Sequence, residues 1–192
     1  HVFATRSDTE VIVHAYEEYG VELCAHLHGM FAFAVHDTAR RRLLLARDRA
    51  GKKPLYYYDG PEGFVFGSEL KALLRYPGVP RGIDPVALQQ YLLCHIIFTP
   101  RAIFSGVRKL PAALYLLIEN GVAQAPQPYG RYEFANPPEK RSEREWLALT
   151  DETLHASVVR RLEADVPLGV CLSGGVDSSL VVAQMCRSLP PA

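Results

Sequence analysis

The apolar positions of this chain change their period several times, and each change marks an element. Ile12, Ala15, Tyr16 and Tyr19 recur at the 3.6-residue spacing of one helix face. Ser7-Asp-Thr-Glu10 in front of them reads as a capping box, with Ser7 accepting from the N3 amide and Glu10 reaching back, and Gly20 stops the helix. Residues 30–36 and 42–47 read as paired strands around a polar turn at Asp37-Thr38. Residues 55–58 and 64–66 flank Asp59-Gly-Pro-Glu-Gly63, a hairpin signal, after which Ser68 is expected to cap a short helix over 69–74. Asp84-Pro85 supplies an N-cap and a proline at N1 for a helix to residue 93. Residues 114–118 then read as a strand turning at Asn120-Gly121.

The pattern shifts after this point. Pro126, Pro128, Pro137 and Pro138 sit among polar residues, which suits a semi-rigid linker over 126–141 between a first domain (1–125) and a second (142–192). Ser142-Glu-Arg-Glu145 is a second capping box. The helix it opens carries a stripe of Leu147, Leu154, Val158 and Leu162, expected to pack on a sheet beside a strand over 166–172. Ser173-Gly-Gly-Val-Asp-Ser-Ser179 follows, and an apolar helix resumes over 180–185. No internal repeat interrupts the pattern.

Composition narrows the class. The chain has 192 residues, 48% apolar and 22% charged, with zero formal net charge. That balance suits a globular protein and argues against a nucleic-acid-binding tail or an anionic-membrane partner. Cys24, Cys94, Cys171 and Cys186 are scattered without a CxxC pair, so free thiols in a reducing cytoplasm are expected rather than zinc or disulfides. No run approaches the roughly 20 apolar residues that span a bilayer, and no signal peptide is visible. The chain opens at His1 and holds a single strand–loop–helix unit near its end, so it reads as an interior piece of a longer protein.

Candidate chemistry concentrates at residues 172–179. A strand ending in Gly174-Gly175 and reopening as a helix brings backbone amides close to an anion, as phosphate sites require. Ser173, Ser178 and Ser179 add hydroxyls, and Asp177 can ligate magnesium held by phosphates. The absence of lysine excludes the GxxxxGK[ST] loop. The plain alternative is a glycine turn capped by Ser and Asp; the full string in its context favours phosphate. Two further features are ambiguous. Asp8 suits a helix dipole as well as a ligand, and Arg47, Asp48, Arg49 and Lys53 fit either a solvated turn or a buried ion-pair network. His26, His28 and His95 read as surface or satisfied histidines rather than metal ligands.

The loop resembles the pyrophosphate-binding loop of the ATP pyrophosphatases, and residues 157–179 resemble the opening of the synthetase domain in glutamine-hydrolysing asparagine synthetases. Residues 3–10, 29–34, 46–49 with 53–57, and 67–73 are similar, in the same order, to the class II glutaminase domain of those enzymes. The resemblance implies an α+β N-terminal-nucleophile fold, two stacked antiparallel sheets with helices, followed by the first strand–loop–helix of an α/β ATP-pyrophosphatase domain. It implies an enzyme that transfers glutamine-derived ammonia to an aspartyl adenylate, giving asparagine, AMP and pyrophosphate.

On the same resemblance, Asp8 holds the α-amino group of glutamine. Leu172, Ser173, Gly174, Gly175, Asp177, Ser178 and Ser179 bind ATP, and Asp177 binds Mg2+. The substrates implied are glutamine, aspartate and ATP, and a homodimer stays open. The family nucleophile is an N-terminal cysteine whose α-amine is the base, which neither His1 nor Cys24 matches, so this segment alone is expected to be inactive. Ala112-Ala113-Leu114 departs from the family's Pro-Gly-His/Ser pattern after Lys-Leu-Pro. Two other readings remain: a β-lactam-synthetase-like or other amide-forming relative, and a non-catalytic nucleotide-binding module.

Overall fold

A computed structural model describes residues 1–130 and 139–188, which belong to two compact units, His1–Tyr132 and Glu133–Ala192. In the first unit, helix α1 (Asp8–Tyr19) runs through a 3-10 turn (Gly20–Glu22) into the short α2 (Leu23–His26). Strands β1 (Ala32–Asp37), β2 (Arg42–Arg47), β3 (Tyr56–Gly60) and β4 (Gly63–Gly67) follow, then α3 (Leu70–Leu73) and α4 (Pro85–Cys94). The unit closes with β5 (Arg108–Lys109), β6 (Leu114–Glu119), β7 (Val122–Ala123) and β8 (Gln127–Pro128).

Two antiparallel sheets result, one ordered β1-β2-β6-β7 with β8 also on β6, the other β4-β3-β5. Their facing sides share one core: Leu45, Leu116 and Ile118 from the first sheet meet Tyr57 from the second and Leu55 and Leu110, which flank its strands β3 and β5. Side chains alternate across a strand, so Leu44 and Ala46 point to the opposite face of β2. There they pack beneath Tyr16, Leu23 and Cys24 of α1 and α2. Burial on both faces is why β2 reads as an unbroken apolar run rather than an alternating one. On the outer side of the second sheet, Tyr56, Tyr58 and Val65 cover Leu73, Val79, Ala102 and Val107. The unit is therefore α+β, with stacked antiparallel sheets and helices against both outer faces.

Most predicted elements are present, with local corrections. Ser7 caps α1 by accepting from Thr9 (3.2 Å), not from the N3 amide. Glu10 reaches past Ser7 to the amides of Ala4 (2.6 Å) and Thr5 (2.7 Å). Tyr19, expected on the buried face, is 45% exposed and stacks on His26 at 4.0 Å. Cap chemistry fails at Ser68: Glu69 precedes α3, and no side chain caps it. Asp84 caps α4 as expected, accepting from Val86 (2.8 Å) and Ala87 (3.0 Å), and His95 ends that helix in the left-handed region (φ 55°). The two-residue turn Asn120-Gly121 has φ 51° and 83°, which matches the twist of the hairpin it joins. Gln127 and Pro128, expected at the start of the linker, form β8 against Leu114 and Tyr115 of β6. Pro137 and Pro138 lie outside the described residues.

In the second unit, α5 (Glu143–Val159) starts from a complete capping box: Ser142 accepts from the Glu145 amide, and Glu145 accepts from the Ser142 amide at 2.7 Å. It packs on α6 (Val176–Ser188). Of the predicted stripe, Val158 is buried, but Leu147 is 64% exposed. The strand expected over 166–172 makes no ladder among the described residues, and Val166, Leu168, Val170 and Leu172 are exposed. A strand satisfies its backbone only against another strand, and α5 and α6 have no free edge to offer it. The stripe therefore meets a helix and not a sheet. Gln184 bridges the pair: its Nε2 donates to Asp151 at 2.6 Å, and its Oε1 lies 3.0 Å from His155 Nδ1 and accepts from Arg187 at 2.8 Å.

Candidate functional site

Three features of the fold bear on chemistry, the first being the entry to α1. Asp8 occupies the first helical turn, where unpaired amides favour a carboxylate. It is exposed, and its Oδ1 accepts only weakly from the Thr9 hydroxyl at 3.4 Å. Its backbone is held from both sides, by the Ser7 cap and by Glu10. The Thr5 hydroxyl, followed by the Ala4 amide, holds the Glu10 carboxyl down to about 2 against the cost of its own burial. Position three of a capping box carries the only sequence signal for this brace, and its reach to residues 4 and 5 is set by the path of the chain. A cleft of about 440 Å³ runs between α1 and β1 past Ile12, Tyr16, Phe33 and Val35, and Tyr16 donates across it to Asp37 (3.2 Å). Asp8 is not among its lining residues.

The second is the charged loop after β2. It is neither a solvated turn nor an ion-pair network. Asp48 is 1% exposed, and its carboxylate accepts from Ala50 (3.1 Å) and Lys52 (2.9 Å) at Oδ1 and from Lys53 (2.9 Å) at Oδ2. Burial alone would raise this carboxyl, but the Lys53, Lys52 and Ala50 amides and the nearby Arg47 charge outweigh it and hold it low. Arg47 donates to the carbonyls of Lys53 (2.7 Å), Leu110 (2.7 Å) and Gly51 (2.6 Å), tying the loop to the strand pair behind it. Arg49 donates to the carbonyls of Ala25 (2.9 Å) in α2 and Leu27 (2.7 Å) just after it, with its guanidinium 5.6 Å from the Tyr129 ring centre. The charges of Arg47, Asp48 and Arg49 are thus spent on backbone groups, while Lys53 takes part through its backbone, which makes the cluster a scaffold.

The third, in the other unit, is the loop before α6. The helix begins at Val176, earlier than the apolar run suggests, so Asp177, Ser178 and Ser179 stand in its first turn. Gly174 sits at φ 81°, where an L side chain is strained. Ser173 Oγ lies 3.0 Å from Ser178 Oγ, and the Gly175 amide points toward Ser173 Oγ at 3.5 Å. Ser178 Oγ donates to the Gly175 carbonyl (3.0 Å), which also accepts from the Ser179 amide (3.1 Å). The turn thus holds its own shape, while the first-turn amides of Val176 to Ser178 have no intrahelical carbonyl to bond. Leu172, Ser173, Gly174, Gly175, Asp177 and Ser179 are exposed around them. The arrangement can receive an anion, with oxygen donors beside it for a hard cation.

Cys24, on α2, is buried in the cluster with Tyr16, Leu44 and Ala46, and burial pushes its thiol up to about 12, so it is no nucleophile. The Gln184 bridge to Asp151, His155 and Arg187 escapes a sequence reading almost entirely. Its one signal is a glutamine inside the apolar run 180–185.

The chain is similar to known proteins along most of its length. A glutamine amidotransferase domain model matches residues 1–130, and an asparagine synthase model matches residues 149–192. Asparagine synthetase [glutamine-hydrolyzing] 3 of Bacillus subtilis is 35% identical over 185 residues, 95% of this chain and 30% of that protein. A putative asparagine synthetase [glutamine-hydrolyzing] of Mycobacterium tuberculosis is 37% identical over 196 residues, 98% of this chain and 30% of that protein. Amidase chry2 of Gibberella zeae is 34% identical over 186 residues, 95% of this chain and 27% of that protein. The chain thus spans about 30% of the length of these curated relatives. Two stacked antiparallel sheets, followed by a serine- and glycine-lined turn at a helix start, accord with both matches: the chain belongs to the glutamine amidotransferase domain family and runs on into the beginning of an asparagine synthase domain.

Proposed function

We propose that this chain is the glutaminase-side portion, with the start of the nucleotide-binding portion, of an ATP-dependent asparagine synthetase that uses glutamine as its nitrogen source. One observation carries the reading: a glutamine amidotransferase domain and the Ser173–Ser179 turn follow one another in a single chain. An enzyme that must make ammonia at one site and consume it at another needs that pairing. The first unit is read as an N-terminal-nucleophile fold, and its stacked sheets support this. Asp8 is assigned to the α-amino group of glutamine, since an exposed carboxylate on a braced turn can fix a cation by a charge-assisted pair.

In the second unit the amides of Val176 to Ser178 and the Ser173, Ser178 and Ser179 hydroxyls are assigned to the diphosphate end of ATP. Leu172 offers backbone groups beside them. Donors fixed before the reaction stabilise charge developing on departing pyrophosphate without reorganising. Asp177 is exposed, and the oxygens around it suit magnesium, which when bound would neutralise phosphate charge. No helix among the described residues is long and apolar enough to cross a membrane, and the four free cysteines suit a reducing cytoplasm.

The test uses the complete protein. Pyrophosphate should form from ATP only when aspartate is present, and Asp177→Ala should lower that rate by orders of magnitude while glutaminase activity persists. Normal pyrophosphate release by the variant would remove the loop assignment. A second reading, amide formation on a different acceptor, is favoured by relatives named amidases. Pyrophosphate formation that ignores aspartate but responds to another carboxylic acid would select it.

A further inference from the structure

The N-terminal segment and the outer face of α1 bring together a group of side chains that the proposed activity does not use. The rings of His1 and His14 lie 4.6 Å apart between centroids, tilted by 32°, and Phe3 sets its edge against His14 at 4.9 Å. Both imidazoles aim Nδ1 at the same oxygen, Glu17 Oε2, at 3.4 Å from His1 and 3.2 Å from His14. Each also turns Nε2 toward a further carboxylate, His1 to Glu18 (3.5 Å) and His14 to Glu10 (3.5 Å). His14 Nε2 is buried and makes no hydrogen bond among the described residues.

We propose that His1, His14 and Glu17 form a binding site for a divalent transition-metal ion of the zinc class. One ligand atom from each of the three lies within 4.8 Å of the others. A tetrahedral ion with bonds of about 2.0–2.1 Å separates its ligand atoms by about 3.3 Å, which is the spacing from Glu17 to both imidazole nitrogens. Two imidazoles and a carboxylate are the borderline ligand set that zinc-class ions favour over magnesium or calcium. Glu10 and Glu18 lie 3.5 Å from the ring nitrogens that ligation through Nδ1 leaves free, the side on which a carboxylate fixes the tautomer of a ligating histidine. Two ligands come from adjacent turns of α1 and the third from the segment before it, so a bound ion pins that segment to the helix, just ahead of Asp8. The site is independent of the amidotransferase reading.

Calorimetric titration of the chelator-stripped full chain with zinc chloride tests the proposal, with Co2+ absorption reporting coordination geometry. One saturable site per chain is expected, with a tetrahedral Co2+ spectrum. Glu17→Gln and His1→Ala should each weaken binding by at least about tenfold. Both side chains are partly exposed, so neither variant should unfold. No saturable binding, or binding unchanged in either variant, overturns the site.

Discussion

Removing the Asp48 carboxylate perturbs this fold at one atom group whose partners are all known. Asp48→Ala leaves three amides, those of Ala50, Lys52 and Lys53, without an acceptor in a place where the side chain was 1% exposed. An amide left without an acceptor costs about 1–3 kcal/mol when buried, and these three are part-buried on exposed residues that water can reach, so a loss of about 3 kcal/mol is expected. Domains of this size are stable by only about 5–15 kcal/mol, so this is a sizeable share of the total. Asp48→Asn should cost less, about 2 kcal/mol. It can keep one oxygen for Ala50 and Lys52, but it sets an NH2 group against the Lys53 amide.

Urea unfolding followed by fluorescence measures both variants, with an unchanged slope confirming that only stability has moved. The effect should persist in high salt, because the partners are backbone amides rather than opposite charges. The pH dependence follows from the lowered native carboxyl: its contribution is full above about pH 4 and is lost as pH falls through the native value, so parent and variant should converge in acid. A loss under about 1 kcal/mol for Asp48→Ala, or one that salt abolishes, would refute the account of the loop.

Three other outcomes are expected. Cys94, Cys171 and Cys186 should react readily with a thiol reagent in the native chain, with Cys24 reacting only on unfolding. Because burial raises the Cys24 thiol from 9.0 to about 12, its contribution to stability is complete below pH 9 and should fade as pH rises toward 12, in a base titration that Cys24→Ala flattens. Ala113 sits at φ 59°, where a methyl group is strained by about 1–2 kcal/mol. After the extra chain entropy of glycine is subtracted, Ala113→Gly should raise the midpoint of thermal unfolding by a stabilisation of about 0.5–1 kcal/mol. A lowered midpoint would contradict this.

Local chemistry was legible in the sequence wherever neighbours along the chain decide the outcome. The caps at Asp84 and Ser142, the Asn120-Gly121 turn and the β1–β2 pair all depend on residues a few positions apart, and all are present. The Ser173–Ser179 turn at a helix start is of the same kind, because a glycine pair and an N-terminal turn need no distant partner. The strand at 166–172 failed for the opposite reason: an apolar run states a preference, but only another strand can accept its hydrogen bonds. Arg47 illustrates the limit. Its charge is visible in the sequence, yet one of the carbonyls it serves lies at Leu110, and only folding brings that oxygen within 2.7 Å. Gln184 over Asp151 and the two imidazoles converging on Glu17 are likewise products of packing. A side chain carries its chemistry from the start, but which group it meets is settled by where the backbone leads.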